Sequence, residues 1–375
     1  MTENITNTAV KPKQRLMFID LARSVAILLM LEGHFVDDSL MEIYRDLDNP
    51  VYATWLFIRG FTAPVFLTVT GIVFVYLLLN SRAESFRSNI RIRKGYKRVV
   101  ELIFWGFVLQ YYAFHVLQCI GVGIFVILGL YGLYKAIKRI PLWIYFATMG
   151  FLVFNLNTFL GTLGPEEYWP THAPTFIQNM FHGPYSIFAI IPWMGFTMFG
   201  AMIGCLLHDF SNYVQGWGFR IVFFLIGAIL FFFSKDLFIG FDQLYHQAFP
   251  NSSFHLSKID WLYTRLGMVM MELGTLMFVE KLMGTIKNGL FLKVGQNTLT
   301  IYTLHMVILY GSITGIGLND WFEHRLNPWE VTIGAALFLT FFITLIHYLD
   351  WIKAKLSFIL VPSSKIMSGL FGIKK

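Results

Sequence analysis

About ten stretches of this chain are apolar and long enough to cross a bilayer, and that property removes most folds from consideration. They lie at approximately 17–36, 53–79, 97–114, 116–134, 141–161, 186–207, 218–238, 262–282, 292–316 and 331–351. A helical span needs about 20 such residues. Lipid offers no partner to a free backbone N–H or C=O, so only helices and closed barrels cross it. Runs of this length predict an all-α, polytopic integral membrane protein with about ten transmembrane helices. Composition agrees: 14% of the 375 residues are charged, against about 25% in soluble domains. The 39 Phe and 10 Trp suit lipid-facing surfaces and interfacial belts.

Charge orients the spans. A polar stretch ending in Lys11, Lys13 and Arg15 precedes the first run. The segment 81–98, read as a loop, holds Arg82, Arg87, Arg91, Arg93, Lys94, Lys97 and Arg98 against one Glu84. Lys135, Lys138 and Arg139 mark a second basic loop, Arg220 a third, and Lys281, Lys287 and Lys293 a fourth. With ten spans all of these fall on one side, while loops bearing Asp37, Asp38, Glu166, Asp242 and Asp320 fall on the other. The positive-inside rule then places both termini in the cytoplasm, with the protein in the cell (inner) membrane. The net charge of +7 is accounted for by these orientation signals, and no nucleic-acid partner is expected. The chain divides into a cytoplasmic tail (1–16), a membrane domain (17–351) and a tail (352–375) that mixes Lys with apolar residues and suits the inner leaflet. Cys119 and Cys205 lie in apolar runs and read as small buried hydrophobes.

The first run carries groups that hydrocarbon does not tolerate. Asp20, Arg23, Glu32 and His34 lie within MFIDLARSVAILLMLEGHFV. Each costs at least a few kcal/mol near the bilayer centre, so such groups face a protein interior or a watery cavity. Arg23 and His34 are eleven positions apart. At about 100° and 1.5 Å per residue they share a face, about 16 Å apart along the axis. The structural alternative for Arg23 is an i,i+3 pair with Asp20 and a stem reaching the inner interface. His34, with a free pKa of about 6.5, is suited to accept a proton, and Asp37 and Asp38 are candidates to orient it. Arg59 is a candidate to stabilise an oxyanion or to bind an acidic acceptor. Pro64 should kink the second helix and free a carbonyl toward a cavity. Gln118 and His305, each within an apolar run, are secondary candidates, with a hydrogen bond between them one reading. Arg265 and Glu272 share a face and read as forming structural ion pairs to other helices. No metal is expected, since His34, Asp37 and Asp38 at one helix end lack a distant ligand.

These residues carry a resemblance. Asp20, Arg23, Ala26, Ile27, Met30 and His34 fit the first-helix pattern of membrane-bound acyltransferases of the acyltransferase-3 type and of heparan-alpha-glucosaminide N-acetyltransferase-like proteins, with Ser24 in place of the usual Gly. RGFTAPVFLTVTG (59–71), HVLQCIGVG (115–123), IPWMGFTMFGAMIG (191–204) and GQNTLTIYTLH (295–305) are similar to the second group. The resemblance implies transfer of an acyl group, often acetyl, from cytoplasmic acyl-CoA to a hydroxyl or amine at the outer face. Arg23 with Arg91, Arg93, Lys94, Lys97 and Arg98 would then grip the phosphates, and a glycan or lipid-linked sugar would be the acceptor. The heparan-type catalytic histidine lies between helices one and two, where residues 37–52 hold none; His34 is the candidate in that region. A secondary transporter of a small polar or lipid-linked solute is the alternative, since transporters also place charges in broken helices.

Overall fold

The computed structural model describes residues 16–370 apart from 82–84, 87, 111–112, 162, 164–166, 253–254, 285–288 and 313–314, with side chains of the last helix described to 355. Lys11, Lys13, Arg15, Arg82, Glu84, Arg87, Glu166 and Lys287 lie outside the described residues. The regular structure among the described residues is helical, with three isolated β-bridges and no strand. The chain begins with α1 (Met17–Ser39), α2 (Pro50–Arg59), α3 (Thr62–Leu79), α4 (Ile90–Leu109) and α5 (Val116–Ile137). It continues through α6 (Leu142–Leu160), the short α7 (Thr175–Phe181), α8 (Ile190–Asp209) and α9 (Trp217–Ala248). Then follow α10 (Asp260–Met283), α11 (Gly289–Gln296), α12 (Thr298–Tyr310), the short α13 (Asn319–Phe322) and α14 (Pro328–Leu370).

Each apolar run of the sequence falls on a helix or a helix pair. Among the described residues, six helices are long and apolar enough to cross a membrane: α2 with α3 as one unit, α5, α6, α8, α9 and α14 as far as Lys355. Of the remaining runs, α1, α4 and α10 carry charged residues along their lengths, and α12 has only 13 residues.

Several boundaries differ from the sequence reading, each for a local reason. The basic segment up to Arg98 is not a loop from residue 90 onward. Asn89 caps α4 by accepting from Arg91 N at 2.9 Å, and Ile92, Gly95 and Val99 bury one face of it. Arg220 is not a loop residue; it is buried in α9 and its Nε donates to Val214 O at 3.2 Å. The run at 218–238 continues as helix to Ala248, so much of the expected outer loop 239–261 is helical. The run at 292–316 breaks at Asn297 and stops at Gly311, whose φ of 67° is open to glycine without strain. No break marks residue 352, because α14 runs on to Leu370.

The second run is divided at Gly60 and Phe61. Pro64 has no N–H for the carbonyl four residues back, which is that of Gly60. Arg265 of α10 takes that carbonyl instead, Nη1 to O at 2.9 Å, while its guanidinium lies 5.1 Å from the Trp261 ring centroid. The ion pairs expected of Arg265 and Glu272 with other helices are absent among the described residues: Arg265 turns to the freed carbonyl of Gly60, and Glu272 Oε1 is buried without a hydrogen-bond partner.

The helices pack through their small residues. α8 lies between α3 and α6, and α9 lies along α10. Where α3 meets α8, a Cβ on Gly71 would collide with Thr197 O and one on Gly200 with Thr68 O. With no hydrophobic drive between helices in lipid, such close backbone approach supplies the attraction. α1 is central, touching α3, α10, α11, α12 and α14. Phe18, Ile19 and Ala22 join an apolar cluster with Val65, Ile203 and Val269, and Ile27, Leu31 and Phe35 join another with Ile301, Leu309 and Phe338. Ser24 ties α1 to α11: its hydroxyl lies 2.7 Å from Phe291 O and accepts from Gly295 N at 3.0 Å. Glycine at this position would lose both contacts. Cys119 and Cys205 are free thiols and buried.

Gly200→Val should therefore part α3 from α8, at a cost of about 1–3 kcal/mol typical of overpacking. Its thermal midpoint in detergent should fall by several degrees, whereas Gly129→Ala, whose added Cβ meets nothing within 4 Å, should not lower it.

Candidate functional site

The polar residues of α1 meet a matching row on α12. Arg23 Nη2 donates to Thr298 Oγ1 at 3.3 Å, and His34 Nδ1 lies 2.7 Å from the Tyr310 hydroxyl. Arg23 pairs with Thr298 and His34 with Tyr310, so the two helices run side by side in the same direction. On α12 the residues concerned are Thr298, Tyr302, Met306 and Tyr310, spaced four apart and hence on one face. On α1 they are Arg23, Ile27, Met30 and His34.

Between these rows and α3, α4 and α5 lies a cavity of about 930 Å³. Arg23 and His34 both line it, as their shared helix face requires. At the Arg23 end it also meets Arg91, Lys94 and Arg98 of α4 and Thr298. Positions 91, 94 and 98 share one helix face. Arg93 and Lys97 fall on other faces, are exposed and do not line the cavity; the sequence reading had included them. At the His34 end the lining includes Arg59, His115, Trp193, Arg265 and Tyr310. Six basic side chains border this space, and none of its described lining residues is acidic. A concave, low-dielectric wall of one sign concentrates ligands of the opposite sign. Arg98 also pairs with Glu101 at 3.0 Å, and Arg23 keeps Asp20 at 3.9 Å, the i,i+3 pair that the spacing allows.

The His34 end is built in layers. Arg59, the last residue of α2, places Nη2 2.6 Å from Asp37 Oδ2 and donates from Nε to Gly33 O at 3.3 Å. Gly33 permits this approach, since a Cβ there would come within 3.2 Å of the Arg59 chain. Trp55 lies beneath the guanidinium at 5.8 Å and donates from Nε1 to Glu32 Oε1 at 2.8 Å. Asp37 therefore does not orient His34. It holds Arg59, which ends α2, and forms a second pair at 3.8 Å with Arg45, which lies in the connection between α1 and α2. Tyr310 takes the orienting position, its hydroxyl 2.7 Å from His34 Nδ1.

His305 is fully buried, its ring centroid 5.3 Å from that of His34 and 5.0 Å from that of Tyr302. Its Nδ1 faces Ile301 O at 3.3 Å, and its Nε2 has no hydrogen-bond partner among the described residues. No bond joins it to Gln118. That side chain instead caps α5, accepting from His115 N at 2.9 Å and packing against Gly106. His115 completes the wall, with Nε2 2.9 Å from Gly106 O and Nδ1 3.4 Å from the Tyr302 hydroxyl. Tyr302, Tyr310, Thr298 and His115 were not among the residues singled out from sequence. The signal for the first three was the four-residue spacing of polar groups along an otherwise apolar helix.

A family model described as heparan-alpha-glucosaminide N-acetyltransferase, catalytic, matches residues 15–225, more than half of the chain. No curated protein matches it. The matched segment contains Arg23, His34, Arg59, the basic turns of α4 and His115; Arg265, Tyr302, His305 and Tyr310 lie beyond it.

The Arg265–Gly60 contact should show as a non-additive pair. Arg265→Met leaves a buried carbonyl unmet and should cost about 1–3 kcal/mol. Pro64→Ala restores the missing N–H, so the double variant should recover part of that loss. Thermal denaturation of the two single variants and the double variant, as a double-mutant cycle, measures this.

Proposed function

This chain belongs to the heparan-alpha-glucosaminide N-acetyltransferase catalytic family, and we propose that it transfers an acetyl group from cytoplasmic acetyl-CoA to a hydroxyl or amine of a sugar-like acceptor at the outer face of the membrane. The observation that carries this reading is the one-signed cavity with Arg23, Arg91, Lys94 and Arg98 at one end and His34 at the other. Coenzyme A has the matching form, with phosphates at one end of a long flexible arm and a thioester at the other. Guanidinium groups hold phosphate through paired, charge-assisted hydrogen bonds. The separation of about 16 Å along α1 is spanned by the arm. Membership of a transferase family favours an enzyme over the carrier alternative.

In the proposed reaction His34, which lines the cavity, donates from Nδ1 to Tyr310 and uses Nε2 as the base. The acceptor O–H or N–H gives its proton to Nε2 as its heteroatom attacks the thioester carbonyl. Negative charge on the carbonyl oxygen is met by Arg59, which Asp37 and Gly33 hold in place. The C–S bond then breaks, and the departing thiolate takes the proton back from the imidazolium. Acetylated acceptor and free CoA are the products. The apolar part of the lining keeps competing water from the thioester. Trp169 and Tyr168, in the connection between α6 and α7, offer aromatic faces for a pyranose ring. The reading has ten spans with both termini cytoplasmic, α1, α4, α10 and the α11–α12 pair crossing with their charges turned inward.

The test is acetyl transfer from labelled acetyl-CoA supplied to inside-out vesicles. His34→Ala should lower turnover by at least a hundredfold with the protein still folded. Arg91, Lys94 and Arg98 changed together to Gln should raise KM for acetyl-CoA at least tenfold, whereas Arg93 and Lys97 changed to Gln should not. Full activity in the His34 variant would remove the proposed base.

A further inference from the structure

Away from the cavity, Asp242, His246 and His255 bring one potential metal-binding atom each to within 4.8 Å of one another. Asp242 and His246 are four residues apart near the end of α9, so they share a face, the spacing by which helices present paired metal ligands. His255 comes from the connector beyond α9, at the start of the 3-10 turn Leu256–Ile259. His246 Nε2 lies 3.2 Å from His255 Nδ1, and His255 Nδ1 lies 3.4 Å from Asp242 Oδ2. A tetrahedral zinc ion with bonds of about 2.0–2.2 Å has ligand-to-ligand edges of roughly 3.3 Å. Two neutral imidazole nitrogens at this separation need a proton or a cation between them.

The carboxylate is already oriented. Asp242 Oδ1 accepts from Leu256 N and Oδ2 from the Ser257 hydroxyl, both at 2.6 Å, the kind of supporting bonds that fix a metal ligand. Asp242 is 8% exposed, while the His255 side chain is 45% exposed, so an ion has a route in from water. The 32 residues of α9 extend about 48 Å, well beyond a hydrocarbon core of about 30 Å. Its last turns therefore stand outside the lipid.

We infer that Asp242, His246 and His255 form a binding site for a divalent transition-metal cation of the zinc class. Two imidazoles and one carboxylate favour Zn²⁺ over Mg²⁺ or Ca²⁺, which prefer all-oxygen shells. The fourth position is left to water. The ion would pin the connector to the end of α9. That connector leads directly into α10, where Arg265, packed over Trp261, lines the cavity, so the site acts as a staple behind that wall. The inference does not depend on the acetyl-transfer reading.

The experiment uses the full chain in detergent, with any affinity tag removed, stripped with EDTA and titrated with Zn²⁺ in the presence of millimolar Mg²⁺. One saturable Zn²⁺ per chain is expected by calorimetry, with a thermal midpoint that rises on Zn²⁺ addition. His246→Ala should weaken binding at least tenfold and abolish the rise; His172→Ala, in a different connection, should change neither. If His255→Ala fails to fold, His246→Ala, at a partly exposed helix end, still decides. The absence of saturable Zn²⁺ binding by the parent chain, or unchanged binding in His246→Ala, overturns the assignment.

Discussion

The architecture turns on the cost of leaving an ion in hydrocarbon. α1 carries charged or ionisable groups through the depth of the bundle, and each must find either a partner or water. Two of its flanks are filled by Phe18, Ile19 and Ala22 and by Ile27, Leu31 and Phe35. The remaining flank, with Arg23 and His34, faces the polar side of α12 and the cavity between them. A solvated interior is thus the condition for this helix to exist in a membrane, and the same interior is where a polyanionic ligand finds its contacts.

A second constraint follows from proline. Pro64 leaves the Gly60 carbonyl unsatisfied inside the protein, and Arg265 arrives from α10 to take it. One missing N–H on the second span thereby recruits a guanidinium into the cavity wall and ties two segments some two hundred residues apart. Broken helices are tolerated at membrane depth where a side chain or water restores the lost bond, and here the restoring group is itself charged.

Much of this was legible in the sequence. Each apolar run falls largely on helix among the described residues, the eleven-residue spacing of Arg23 and His34 puts them on one cavity, and the carbonyl that Pro64 releases is the one Arg265 takes. What could not be read depends on tertiary approach. Asp37 is close enough in sequence to orient His34, but Arg59 from the end of α2 and Arg45 from the connection before α2 take it instead. The division of the basic cluster into lining residues and exposed ones follows helical periodicity, and was hidden because residues 90–98 were read as loop. The Asp242–His246 pair was obscured for a related reason. With α9 ended at residue 238, the two fell in a connection with no fixed face. Tyr310 replaced the expected carboxylate because its partner choice is made by the register between α1 and α12, which no local pattern encodes.

The side-by-side pairing of α1 with α12 has a consequence for how the protein is made. The two helices are separated by more than 250 residues, so the opening span leaves the ribosome long before its polar partner exists. Until the segment around 289–310 emerges, Arg23 and His34 must be sheltered by water in the insertion machinery, by lipid headgroups or by provisional neighbours. Long-range assembly of this kind is slow and exposes incomplete states to error. A ribosome stalled before α12 would leave the first helix without its permanent company, and quality-control proteases that search membranes for stranded charge would have a target.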